Sequence, residues 1–458
     1  MQPVPGSVRL KVEQRVFTVG RRELSEGSDY FRALFASGMR ESGQEEMVLP
    51  LLAARGFALT VRVLAGERPA LSGEEEIGDA AECAAFLQAK PLSQHMVHCI
   101  SPGNCALMLQ AAAVYGLPEL LHASALYIRD LHPDVRQELS YLAQDQLDYI
   151  ESLSPSALVA MTTHSPSPQH LQDHSRTICY LDEADNVWRD LTWLPDPAST
   201  SLAGITVMDN NIYIVGGVDG VSKRVVPTNF CYNTDRDSWS EFPCGQHLRH
   251  NVALSGQDGS LIAIGGVCKG KVVATVERFH VASNSWSSVA PLPRPGEGVA
   301  CTRAMGRTFV CLWFPMETTD IYEYGTQGDE WSLVTTLRRQ QSYGHCMVSH
   351  VDNLYVMRNG PADDFLRCFI DCYSLTRDQW SSLSGYYVNS KGALFTATVR
   401  GDRVFTVNRM LTLVYHIQGD RWKPVKEAAG FPRSGSTHSF LLRLPKRRLA
   451  TRHTTMNE

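Results

Sequence analysis

No run in this chain approaches the roughly 20 consecutive apolar residues that a membrane-spanning helix requires, and its first residues contain no apolar signal segment. A cytoplasmic protein with no membrane-embedded part is therefore expected. The motifs that announce common catalytic sites are missing too: there is no Gly-x-Ser-x-Gly, no P-loop, no HExxH and no zinc-finger spacing. No nucleophile, phosphate cradle or metal ligand set is marked, so the expectation is a protein without cofactor and without catalytic activity of its own. The 12 cysteines never form a CxxC pair, and they read as mostly buried, reduced thiols. Strong charge is also lacking. The formal net charge is −5, with the acidic excess in residues 1–165 and near balance beyond, which excludes the basic footprint of a nucleic-acid binder.

What the chain does have is length and repetition. At 458 residues, 43% apolar and 20% charged, it can build two or three domains with sizeable cores. In residues 202–239 an alternating apolar run leads to Asn210-Asn211, a second run of Ile212, Tyr213, Ile214 and Val215, the doublet Gly216-Gly217, and then Phe230, Tyr232 and Trp239. The same order returns in 253–286, with Gly265-Gly266, Phe279 and Trp286. Period-2 runs broken by Asp, Asn and Gly are strands joined by hairpins. Six tryptophans (Trp188, Trp239, Trp286, Trp331, Trp380 and Trp422) follow one another at intervals of about 40–50 residues, each preceded by Tyr or Phe, which is the repeat length of propeller blades. Rings of this size are expected to pack between neighbouring blades. This order of apolar run, Gly-Gly, aromatic and Trp resembles the kelch repeat. The later repeats depart from it, with Leu312-Trp313, Asn359-Gly360 and Asn408-Arg409 where the family has Gly-Gly.

The first and last repeats are incomplete. Residues 177–191 supply only the second half of a blade, whereas 437–444 is a strand with no local partner. Closure removes exposed sheet edges, so six blades are expected, the C-terminal strand completing the one that holds Trp188.

In the N-terminal part, Val8, Leu10 and Val12 alternate, as do Val16, Phe17 and Val19 across a turn. Ser28 can cap a helix carrying Phe31, Leu34 and Phe35 on one face. Further elements follow: a short strand at 47–49, helices around 57–64 and 81–87, then from 101 a helical region in which Asn104 can cap 105–116 and Pro118 opens the next helix.

The string from Ser7 onward, above all SDYFRALFASGMRES, resembles the BTB (POZ) domain, and NCALMLQAAAVYGLPELLHASALYI resembles the start of a BACK domain. The chain thus looks like a member of the BTB-BACK-kelch family. The resemblance implies a multidomain fold: an α/β BTB domain at 1–100, a truncated, helical BACK-like region at 101–162, a linker at 163–175, an all-β kelch propeller at 176–445 and a disordered tail at 446–458. Two departures stand out. Where the family carries an aspartate and a histidine flanking the first two strands, Ser7 and Gly20-Arg21 stand here; and about six residues precede the first strand, where long-form members place an element exchanged between dimer partners, which leaves homodimerisation open.

By the same resemblance the chain would be the substrate adaptor of a cullin-RING ubiquitin ligase, binding cullin three and an unidentified protein substrate, with neither nucleic acid nor membrane as partner. The family's hydrophobic-x-Glu docking motif falls on Met39-Arg40-Glu41; Tyr30, Met39, Glu41 and Tyr115 are the expected cullin contacts. The turn before each blade's inner strand recurs with a cation, at Arg249, Arg294, Arg339, Lys391 and Arg433. These five side chains are the expected substrate face, suited to an acidic peptide. The alternative is a scaffold of the muscle cytoskeleton, associated with actin or the sarcomere and without a ligase role.

Overall fold

The computed structural model describes residues 6–71, 73–131, 139, 142–162, 176–220, 222–313, 318–338, 346–359, 367–387, 396–407, 412–425, 428–431 and 437–445. The chain divides into two compact units, Met1–Leu153 and Ser154–Glu458. The linker at 163–175 and the tail at 446–458 lie outside the described residues.

In the first unit, strands Ser7–Val12 and Arg15–Gly20 form the expected hairpin, and Glu46–Val48 pairs with the first of them in parallel. Alternation sends Val8, Leu10 and Val12 into the core while Arg9 and Lys11 face outward. Ser28 caps helix Asp29–Ala36 by accepting the Phe31 amide at 3.2 Å, and its hydroxyl donates to the Leu87 carbonyl at 2.5 Å, so one residue starts a helix and ties it to a remote turn. Helices Ala54–Leu64 and Glu74–Phe86 pack on this face, followed by Lys90–His98, Cys105–Tyr115, Pro118–Leu131 and Gln144–Ser152. Asn104 stands at an N-cap but does not cap. Its amide group instead accepts from the Ser101 N–H and donates to the Leu71 and Cys99 carbonyls, satisfying buried backbone around it.

Among the described residues the second unit contains six antiparallel blade sheets, five of four strands and one of five. Five are built from strands in chain order, one of them with a separate two-stranded hairpin, Val267–Cys268 and Lys271–Val272, inserted between its second and third strands. The sixth, which carries Trp188, joins Ser156–Thr162, Thr177–Asp182 and Val187–Trp193 to the C-terminal strand Thr437–Arg443. The C-terminal strand therefore completes the Trp188 blade, as expected from the orphaned edges. Strand Ser156–Thr162, however, falls in the stretch assigned above to the helical region, which ends at Leu153 and not at 162. Its sequence SALVAMT has no polar alternation because both faces are buried, Leu158 and Ala160 against the last blade and Val159 and Met161 against the second. A short apolar run of that kind does not announce strand over helix.

The innermost strands Thr437–Arg443, Ala203–Met208, Ala253–Gln257, Ala300–Ala304, Cys346–His350 and Thr396–Arg400 contact one another in cyclic order. Six apolar clusters fill the spaces between successive blades, the last joining Phe405 and Val414 to Leu158 and Trp188. The inner strands surround a cavity of about 590 Å³ lined largely by small residues.

The tryptophan rhythm has a physical cause. In five blades Trp stands directly across from the Tyr or Phe of the neighbouring strand, ring centroids 5.0–5.2 Å apart. Each indole N–H donates back to the preceding blade, at Thr192, Pro243, Ala290, Thr335 or Ser384. Trp188 differs: it pairs with Leu181, the aromatic Tyr180 standing one residue earlier, and its ring lies 4.9 Å from that of Phe431.

The glycine doublets serve close approach. A Cβ on Gly216 would stand 2.2 Å from the Arg249 carbonyl oxygen, and one on Gly265 2.3 Å from that of Gly296. In the fourth blade, which lacks the doublet, the ladder simply runs on through Leu312 and Trp313, paired with Asp320 and Thr319. In the fifth it reaches Asn359, paired with Cys368, and Asn408-Arg409 lies outside the described residues.

Candidate functional site

Two surfaces come into question, one in each unit. In the first, helix Asp29–Ala36 ends at Ser37, and Met39 opens a single 3-10 turn, Arg40–Gly43. Met39 is 64% exposed, unusual for a large apolar side chain, and Glu41 beside it is exposed as well. The loop is not loose. Arg21 reaches across from the preceding helix and donates to the Ser42 and Gln44 carbonyls at 2.7 and 2.6 Å, its guanidinium lying 4.7 Å from the Phe35 ring centroid. The Ser42 hydroxyl closes the turn onto the Met39 carbonyl at 2.6 Å. A rigid apolar anchor with a carboxylate beside it suits a protein interface.

Tyr30, at the other end of the same helix, is half-buried with its ring 5.3 Å from that of Phe86. Tyr115, half-buried at the end of Cys105–Tyr115, has its phenol pushed up by burial and by the nearby carboxylates of Glu82 and Asp79. Both tyrosines thus neighbour helix Glu74–Phe86, while Met39 and Glu41 belong to the loop beyond the first helix. Arg21 and Phe86 were missed in the sequence. The signal for Arg21 was there: it sits where the family carries its histidine.

The cationic set of the propeller is less uniform. Arg249 is only 2% exposed: it pairs with buried Glu277 and donates to the Gly265 and Thr275 carbonyls at 3.0 and 2.7 Å. It does not present its charge to solvent, because the inter-blade turn leaves backbone carbonyls that only a long cation can reach. Glu277 also accepts the Gln246 N–H at 2.8 Å, so its charge is consumed inside the fold. Arg294 follows the same pattern one blade on: it is half-buried, donates to the Trp313 carbonyl at 3.3 Å, and its guanidinium is pushed below its ordinary value by burial. Arg339, Lys391 and Arg433 lie outside the described residues.

No three His, Cys, Asp or Glu among the described residues gather to hold a metal ion. The described cysteines are free thiols, and burial pushes Cys83, Cys99, Cys179, Cys301 and Cys311 up to about 12, far from the thiolate form a nucleophile needs. No helix among the described residues is long and apolar enough to cross a membrane.

Comparison with known proteins agrees with this architecture. The BTB/POZ domain family matches residues 7–102 and the Kelch motif matches 199–246 and 248–293. The chain is 51% identical over 438 residues to Kelch repeat and BTB domain-containing protein 13 of Homo sapiens, covering 96% of this chain and 95% of that protein. Its counterpart in Mus musculus is 49% identical over the same shares. Kelch-like protein 42 of Homo sapiens is 25% identical over 93% of this chain and 95% of its own length.

Proposed function

The chain belongs to the kelch repeat and BTB domain-containing proteins, and on that footing we propose that it is the substrate-recognition adaptor of a cullin-RING ubiquitin ligase, acting in the cytoplasm. Its N-terminal unit docks cullin three through Met39 and Glu41, with Tyr30 and Tyr115 at the flank, and its propeller captures the protein to be ubiquitinated. The chain supplies no reacting group. It accelerates transfer by holding substrate and ligase machinery together, converting an encounter between separate molecules into one within a complex.

The observation that carries this reading is the exposed Met39 on a loop clamped by Arg21. What singles it out among the exposed apolar side chains is its setting, a loop held by side-chain hydrogen bonds with a carboxylate beside it, which suits an anchor that a partner buries.

Co-purification with cullin three of the wild-type chain and of Met39→Ala/Glu41→Ala tests it, with circular dichroism checking that both fold. Capture by the wild type and loss in the variant is the expected result. A folded wild type that captures no cullin three overturns the adaptor reading and leaves the muscle cytoskeletal scaffold in its place.

A further inference from the structure

The face of the propeller from which the inner strands begin carries, on its second and third blades, a set of side chains that the fold does not use. Ala203 pairs with Gly216 and Ala253 with Ile264, so the loops before the inner strands and those after the second strands share this face. Backbone hydrogen bonds join them into one surface: Val218 N–H to Ser201, Asn251 N–H to Leu202, His250 and Val267 to each other, and Gly296 N–H to Val273.

Four cations rise from it. Lys223 and Arg224 stand on the tip of one loop, Lys269 and Lys271 on the hairpin Val267–Cys268 and Lys271–Val272, and all four are exposed. Among the described residues no carboxylate forms an ion pair with any of them. The nearby acids are engaged elsewhere: Asp219 accepts the Ser222 N–H at 2.5 Å, Glu297 accepts from the Asn251 side chain at 3.0 Å, and Glu277 is buried against Arg249. The same joined loops carry three exposed apolar side chains, Leu202 at 48%, Leu248 at 44% and Val272 at 41%. Leu202 has a φ of 56°, a turn conformation that Gly or Asn adopts at far lower cost. Turn geometry does not ask for leucine there.

We propose that this surface, and not the buried Arg249, binds the captured protein, through an extended acidic segment carrying at least one apolar side chain. Four exposed cations, none held in an ion pair among the described residues, attract the carboxylates, and the apolar side chains on the same loops give the segment a place to bury a Leu or Phe. The proposal rests on the reading that the propeller captures substrate, and it places recognition to one side of the central cavity, on the two repeats that match the Kelch motif.

A displayed library of short random peptides, selected on the full-length chain, tests it. Enriched peptides should carry net negative charge and an apolar residue. They should weaken by about tenfold or more on the variant Lys223→Glu/Arg224→Glu/Lys269→Glu/Lys271→Glu, and weaken on Leu248→Ser, whose charge is unchanged. Enrichment of neutral or basic peptides, absence of enrichment, or equal binding to the charge-reversed chain overturns the proposal. Cullin three co-purification run on the same variants separates the two readings: cullin capture intact with no acidic enrichment sinks this surface alone, whereas acidic peptides bound without cullin capture sinks the adaptor reading alone.

Discussion

The Trp188 blade and the second and third blades end as the same four-stranded sheet but are held together by different means. Blades two and three fold from strands taken in chain order, their glycine doublets admitting the neighbouring loop. The Trp188 blade is assembled from the two ends of the second unit. Its tryptophan faces Leu181 where the other blades have Tyr or Phe, and its strand Thr437–Arg443 is gripped from both sides: Asn210 both donates to the Arg443 carbonyl and accepts the Arg443 N–H, at 2.9 and 2.8 Å, while Thr396 accepts the Ser439 N–H at 3.0 Å. Local repeats close themselves. A seam between distant ends must offset a larger loop-closure entropy, and the two-way bond between Asn210 and Arg443 contributes to doing so, beside side-chain bonds of the kind that Arg303 and Ser349 make between interior blades.

The largest effect is expected where the seam strand enters the core. Leu442, 1% exposed, belongs to the cluster between the first and second blades, and Leu442→Ala should cost about 2–5 kcal/mol in urea unfolding. The interior has comparable points in its buried ion pairs, among them that of Arg249 and Glu277. Arg249→Ala strands a carboxylate there and should cost about 3–5 kcal/mol, whereas Arg249→Met/Glu277→Leu should recover part of the loss. A double variant no better than Arg249→Ala alone would show that the carbonyl contacts, not the ion pair, hold that turn.

The clasp itself gives a smaller and sharper contrast. Asn210 and Gly259 occupy equivalent turn positions, φ 60° and 72°, but only Asn210 bonds across the seam. Asn210→Gly keeps the turn and should cost about 1–2 kcal/mol, whereas Gly259→Asn, with open space around it, should stay within about 0.5 kcal/mol. Equal effects at the two turns would erase the distinction between seam and interior. Smallest, and opposite in sign, is Val351→Asn. Val351 is a β-branched residue at φ 56° in the hairpin between Cys346–His350 and Asn353–Asn359, and relieving it should stabilise the propeller by about 1 kcal/mol, read as a higher thermal midpoint.

The periodic parts of this protein were legible in advance. The aromatic and tryptophan of each blade recur because each fills the same gap between neighbouring sheets, and Ser28 announced its helix because an N-cap needs a short oxygen-bearing side chain. Ser156–Thr162 escaped because its residues are buried on both faces and carry no alternation. Helix Lys90–His98 escaped too, being polar for much of its length. At the candidate sites Met39 was singled out by the resemblance to BTB domains, whose docking motif falls there, and its exposure came only with the structure. The fate of Arg249 could not, since an arginine before an inner strand looks the same whether it faces solvent or the carbonyls of the next blade.

The N-terminal domain was read from the likeness of its sequence to the BTB domain, whereas turn residues and the spacing of the tryptophans were enough to predict a propeller, the number of blades and the strand that completes the first. Those properties follow from local periodicity and from the need to leave no sheet edge open. Which cations remain at the surface, what holds the seam and how the Met39 loop is clamped were decided only by tertiary structure. Each depends on whether a long side chain finds a backbone carbonyl or a carboxylate contributed by a distant part of the chain, and that distance is set only once the sheets have closed upon one another.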